Sequence, residues 1–263
     1  MHFRHAGQPY GRAMTVLGAL SEGVLITLLG LVFGSFATML THRLPRGESF
    51  REQRSRCSSC GAPLSVRDLV PVLSWLSSRG HCRHCGAAIG LRYIAIEITT
   101  AIAFLAAWLD YGLVPAFPML AALGLILIMM AVIDLEHGYL PDPLQIAAVV
   151  LAPGWWVALG DPIGAGAMGL AAALVLGGAG MALRWVYRRF RAREGLGLGD
   201  VKLMAVAGLW IGLPLIPAFL VLGGLAGIVL ALLWRGAGRG RVFPFGPALA
   251  LSCYLCLLFP VVI

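Results

Sequence analysis

The chain has 263 residues, of which 59% are hydrophobic and only 12% charged. Soluble domains carry about 25% charged residues. Too little polar surface exists to cover a soluble core, and disordered chains are poor in apolar residues. The composition excludes both classes and leaves a polytopic membrane protein. The net charge of +8 does not point to nucleic acid, because the aromatic residues lie in apolar runs and are not interleaved with basic ones. Basic residues gather in cytoplasmic loops of membrane proteins instead.

A span needs about 20 mostly apolar residues. Residues 14–41 form the first and are too long for the apolar part of a signal peptide. Further runs cover 93–109, 116–133, 144–159, 163–187, 213–234 and 246–263, with a shorter one at 201–212. These give about eight transmembrane helices in an all-α fold. Residues 42–92 hold nine arginines against three acids, 184–202 hold five arginines and a lysine, and 234–245 hold three arginines. The turns near Asp110, Asp161 and Pro214 carry no Lys or Arg. The 42–92 loop is then cytoplasmic and the N-terminus outside, despite Arg4 and Arg12. Only if 201–212 crosses do all basic loops share one side. At about 1.5 Å per residue, twelve residues reach about 18 Å, so a short or partly re-entrant crossing is expected. The organisation is a tail (1–13), a first helix (14–41), a cytoplasmic insert (42–92) and a transmembrane unit (93–263). Glycines such as Gly177, Gly178, Gly180, Gly223, Gly224 and Gly227 fit close helix contact. Trp155 and Trp156 read as part of an interfacial belt.

The insert contains Cys57-Ser-Ser-Cys60 and Cys82-Arg-His-Cys85, with 21 residues between the pairs. Two such pairs read as a tetrahedral zinc site, and four thiolates make a closed, structural one. Some fifty residues form too small a core to be stable alone, so a metal would supply folding energy. Disulfides are rare in the cytoplasm. His81 and His84 are read as bystanders, and Cys253 and Cys256 as small buried side chains.

Ionisable groups in a membrane protein are costly and usually functional. Asp134 ends an apolar helix and Asp200 opens the short one, both toward the cytoplasmic face by the charge count. Two close carboxylates do not both ionise readily; one stays protonated and the other serves as base. Such a pair can activate water toward a peptide carbonyl and protonate the leaving amine. Asp200 as an N-cap, and both acids as solvated interfacial groups, remain open. So does the division of base and acid. Glu97 either pairs with a basic residue such as Arg92 or lines a substrate groove. Lys202 either pairs with a carboxylate or snorkels. No GxSxG, HExxH or Walker pattern is present.

Together these residues resemble the type IV prepilin peptidases, the bifunctional leader peptidases and N-methyltransferases of pilus and type II secretion systems. The resemblance runs almost end to end. Gly34-Ser-Phe36 with His42-Arg-Leu-Pro45 is similar to the first-helix motif. The two cysteine pairs with Asp68-Leu-Val-Pro71, Ser74-Trp-Leu76, Arg79-Gly80 and Arg92-Tyr93…Glu97 resemble the zinc segment. Ile133-Asp134…Leu140-Pro-Asp142 and Gly197-Leu-Gly-Asp200-Val-Lys202 resemble the two aspartyl motifs, the second being the GxGD signature. Pro244-Phe-Gly-Pro247 resembles the last motif. Ser58, Thr38 and Leu69 depart from the usual residues.

The resemblance implies that Asp134 and Asp200 are catalytic and that Cys57, Cys60, Cys82 and Cys85 hold Zn2+. It implies cleavage of a leader from prepilins or pseudopilins at the cytoplasmic face of a bacterial inner membrane. It also implies methylation of the new N-terminus from S-adenosylmethionine; it names no donor-binding residue, and Glu48 and the Arg79–Gly80 region are the candidates the sequence offers. Pilus or secretion-system assembly proteins are the further partners it suggests. A non-enzymatic assembly scaffold and a proton-relaying transporter are the competing classes. Loss of either aspartate would mark the first, and acids at the bilayer midplane the second.

Overall fold

The computed structural model describes residues 16–48, 55–191, 196–238 and 243–259. The tail 1–13, the start of the first expected span (14–15), Arg51, Arg54, Arg193, Gly195, Arg239, Arg241 and the end of the last expected span (260–263) lie outside the described residues. In chain order the helices are α1 (Val16–Arg43), α2 (Leu73–Ser77), α3 (Arg92–Tyr111), α4 (Ala116–His137), α5 (Asp142–Ala158), α6 (Pro162–Arg191), α7 (Leu198–Ile211), α8 (Ile216–Gly236) and α9 (Gly246–Leu258). Every expected span is a helix. The five-residue α2 lies in the insert, where the only strand-like pairings among the described residues are two isolated bridges.

α1, α3, α4, α6 and α8 are long and apolar enough to cross a membrane. α5, α7 and α9 have 17, 14 and 13 residues. They reach about 26, 21 and 20 Å, short of a hydrocarbon core of about 30 Å. The sequence raised this doubt only for α7. Protein surrounds the two shortest: α9 packs on α3, α4, α7 and α8, and α7 on α5, α6 and α9. α4 is the central post, with buried side chains along its length from Ala116 to Asp134. α1 and α8 present apolar flanks outward, with Leu20, Val24, Leu25 and Val32 on one and Leu225, Ile228, Val229 and Leu232 on the other all exposed. Side chains of this kind suit contact with lipid tails.

The closest helix contacts fall on glycines, though mostly not those expected. A Cβ on Gly30 would lie 2.6 Å from the Ala101 Cα, and one on Gly34 2.6 Å from the Glu97 Cα. The Gly30-x-x-x-Gly34 spacing thus lets α1 lie directly against α3. α6 and α7 meet the same way: Gly208 would clash with the Ala173 N at 2.5 Å, and Gly169 with the Leu209 carbonyl oxygen at 2.6 Å. Gly177, Gly180, Gly223 and Gly227 touch neighbouring helices, but Gly178 and Gly224 face open space.

The tryptophan pair is not an interfacial belt. Trp155 is buried, and its Nε1 donates to the Trp210 carbonyl at 3.1 Å. The Trp156 Nε1 donates to the Leu209 carbonyl at 2.8 Å. Both acceptors belong to the last turn of α7, whose carbonyls have no partner within their own helix. In a bilayer such groups must be satisfied by protein, and the two indoles supply partners of that kind to the end of the short α7. Trp155→Phe and Trp156→Phe should each destabilise by about 1–3 kcal/mol, read as a lower thermal midpoint in detergent. Midpoints unchanged in both would mean that α7 ends in water.

Candidate active site

Asp134 stands one turn before the end of α4. Gly138 stops that helix with φ 71°, and its N–H donates back to the Asp134 carbonyl at 2.9 Å. The chain then crosses to α5 through Leu140, which is buried. Asp200 is the third residue of α7, with Gly197 as the N-cap. It is therefore not the N-cap itself, and that alternative falls. Its carboxylate lies against Gly197, where a Cβ would stand 3.0 Å from Oδ2.

Three helix ends converge here. The Gly246 N–H, one of the donors that α9 leaves unsatisfied at its first turn, donates to Asp134 Oδ2 at 2.9 Å. A Cβ at Gly246 would lie 2.6 Å from that oxygen, so only glycine permits the approach. Leu140 backs the arrangement: Cβ atoms at Gly199 and Gly246 would lie 3.2 and 3.0 Å from its side chain. Leu140 thus joins Gly199, next to Asp200, to Gly246, which holds Asp134, and sets the two carboxylates within electrostatic reach of each other. Asp134 is buried and Asp200 half-buried. Two carboxylates 66 positions apart in sequence thus share one end of the bundle.

Two ion pairs flank them. Arg92, at the start of α3, forms a two-pronged pair with Glu136, and its Nη2 also donates to the Thr41 Oγ1 at 2.9 Å. Lys202 pairs with Asp142 at 2.6 Å, which settles the choice left open for Lys202. Exposed pairs add little stability. Their effect is to tie α4 to α3 and α1, and α7 to α5, two residues from each aspartate.

The four cysteines also come together. Their sulfur atoms lie within 4.8 Å of one another, with Cys57 and Cys85 3.9 Å apart. At Zn–S distances of about 2.3 Å a tetrahedral site separates its sulfurs by about 3.8 Å, so the cluster could hold a metal ion. Each pair turns through a glycine, Gly61 (φ 70°) or Gly86 (φ 71°), whose N–H returns to the Cys57 or Cys82 carbonyl. N–H donors from Cys60 and Ser59 pull the Cys57 thiol down to about 6. An Ala87 N–H lowers that of Cys85, but desolvation and the three other sulfurs outweigh it and push the thiol up to about 11. His81 and His84 stand outside the cluster. Cys253 and Cys256 are buried in α9, as expected.

Asp68 joins the two halves of this lobe, accepting from the Ser65 N–H at 2.8 Å and from Arg83 at 2.9 Å. Partial desolvation acts against its charge, but the Ser65 hydrogen bonds and the Arg83 guanidinium hold its carboxyl below the usual value. Gly80 has a structural reason: φ is 71°, and a Cβ would lie 2.6 Å from the Trp75 ring. Between the lobe and the starts of α3 and the ends of α1 lies a cavity of about 750 Å3.

Sequence reasoning missed the Gly246 donor, the Leu140 backing and the Arg92–Glu136 pair. The Pro-Phe-Gly-Pro motif signalled the first, but nothing in its spacing said that it meets Asp134.

This is an all-α, multi-pass membrane fold with two carboxylates at one bundle end and a thiol cluster beside it. Residues 28–111 match the Bacterial Peptidase A24 N-terminal domain, and residues 120–232 match the Type IV leader peptidase family. Relatives are called prepilin leader peptidase/N-methyltransferase. One from Aeromonas salmonicida (strain A449) is 32% identical, covering 94% of this chain and 96% of its own. One from Aeromonas hydrophila is 34% identical, with the same coverage. One from Burkholderia pseudomallei (strain K96243) is 32% identical, covering 94% and 89%. No solved structure matches. The chain belongs to the type IV leader peptidase family.

Proposed function

We propose that this protein cleaves the leader peptide from type IV prepilins or pseudopilins and then methylates the new N-terminal residue from S-adenosylmethionine. The observation that carries the peptidase half is the convergence of Asp134 and Asp200. With one carboxyl ionised and the other protonated, the first takes a proton from water as the oxygen attacks the peptide carbonyl. The second donates to the departing amine. The Gly246 N–H fixes one Asp134 oxygen, which leaves the other free to work. Glycines 197 and 199 keep side chains away from Asp200 where a substrate strand would lie.

Cys57, Cys60, Cys82 and Cys85 hold one Zn2+ in this reading, a closed ion that shapes residues 42–92 and takes no part in the cleavage. The remaining unit, 93–263, carries both aspartates. The protein spans a bacterial inner membrane, with the N-terminus outside and the cysteine lobe and aspartates at the cytoplasmic face, a reading supported by the arginine-rich segments. Pilus or secretion-system assembly proteins are its further partners.

Mass spectrometry of a model prepilin incubated with the purified protein in lipid tests both halves. A product shortened by its leader, and heavier by one methyl only with S-adenosylmethionine, is expected. A shortened, unmethylated product removes the transferase half. An intact prepilin in the presence of folded protein removes the peptidase half.

A further inference from the structure

We propose that the cavity between the cysteine lobe and helices α1 and α3 is where methyl transfer takes place, with Glu97 as the residue that receives the new N-terminal ammonium of the substrate and takes its proton. This rests on the bifunctional reading above. The cavity, about 750 Å3, is within the range of small-molecule sites and includes neither Asp134 nor Asp200 in its lining. The two sites adjoin at the same end of the bundle. Arg92, which reaches Glu136 beside Asp134, lies five residues before Glu97 on α3. A freshly cut N-terminus therefore has a short way to go.

The charges of the cavity select Glu97. Both reactants are cations, an ammonium and a sulfonium. Much of the wall is hostile to them, with Arg43, Arg56, Arg67 and Arg83 all lining it. Among the described residues its carboxylates are Glu48, Asp68 and Glu97. Glu48 is exposed, and Asp68 is engaged by Ser65 and Arg83. Glu97 is 7% exposed and pairs with no basic side chain among the described residues. Arg92, its expected partner, is turned to Glu136 instead. Buried carboxylates are ordinarily paired; this one is met by neutral donors only. The Val72 N–H donates to its Oε2 at 2.8 Å, and the Ser35 hydroxyl faces it from α1. Val72 itself adopts φ 60°, ψ −50°, rare and costly for a β-branched residue. The backbone is thus held out of a relaxed conformation at the point where it steadies this carboxylate.

In the step, the substrate ammonium gives a proton to the Glu97 carboxylate. The nitrogen lone pair attacks the methyl carbon of the sulfonium. The N–C bond forms, the C–S bond breaks, and its electron pair stays on sulfur as a neutral thioether. The product leaves as a secondary ammonium, and Glu97 returns its proton to solvent.

Glu97→Gln separates this role from a structural one, because the glutamine oxygen still accepts the Val72 N–H. With a prepilin and S-adenosylmethionine, the variant should cleave within about twofold of wild type while methyl transfer falls by about 100-fold or more. Transfer within about threefold of wild type overturns the assignment. Ultraviolet cross-linking of S-adenosylmethionine to the wild-type protein keeps the site testable should the variant fold badly. Label on peptides from 42–97 supports the cavity, and label confined to α7–α9 overturns it. A wild-type protein that cleaves but never methylates overturns the bifunctional reading, and this inference with it.

Discussion

Asp134→Asn and Asp200→Asn should each abolish leader cleavage, lowering kcat/KM on the order of 10^4-fold, and the double variant should be no worse than either single one. Residues that act as a unit lose their effect together. Neither asparagine can ionise to accept the proton of the attacking water, and the pair works only if one member ionises and the other does not. The substitution is gentle on the fold. Asparagine at 134 still offers an oxygen to the Gly246 N–H, so α9 keeps its place. Alanine there would strand that donor in a buried position, costing about 1–3 kcal/mol, and would confuse lost chemistry with lost packing. Both asparagine variants should keep the wild-type thermal midpoint and still methylate a peptide supplied already cut. Cleavage that survives in both would sink the aspartyl mechanism. Cleavage lost in one alone would reduce the pair to a single acting carboxylate.

The sequence carried most of the fold because a bilayer leaves few options: a polar backbone within it must be helical or a closed barrel, and apolar runs mark the helices. Charge asymmetry then put Asp134 and Asp200 at one depth before any contact was known. Side-chain partners were not legible in this way. Trp155 and Trp156 look like interfacial residues in a list, but they serve the last carbonyls of α7. That depends on which neighbours the end of a short helix meets, a matter of packing. Arg92 stands near Glu97 in sequence but pairs with Glu136, 44 residues on. Small residues were correctly tied to helix contact, yet only the neighbours decide which ones are used; Gly34 meets α3 while Gly224 meets nothing. The four cysteines were the most legible feature, since a short fixed spacing carries both the chemistry and the turn.

Removal of the metal should have the second large effect. The wild-type protein should carry one zinc per chain by elemental analysis, and Cys82→Ser should carry none. Cys82 is the buried member of the four, and an insert with so little apolar core should not hold its shape without an ion. Methyl transfer should fall by several orders of magnitude, because the lobe forms one wall of the cavity. Leader cleavage should fall far less, since among the described residues no hydrogen bond or ion pair joins the lobe to Asp134 or Asp200. The pH dependence has a definite sign. Zinc binds thiolates, so protons compete with it. Without the ion Cys57 is a thiolate above about pH 6, whereas Cys85 keeps its proton up to about pH 11. Binding at neutral pH must therefore expel the Cys85 proton, and affinity rises with pH across the window between those values. Below about pH 6 the Cys57 proton must be expelled as well, and affinity falls more steeply. Competition against a chromophoric chelator from pH 6 to 9 should show the dissociation constant dropping about tenfold per pH unit for each proton released. A flat profile, or a Cys82→Ser protein that keeps its zinc, would rule out a four-thiolate site.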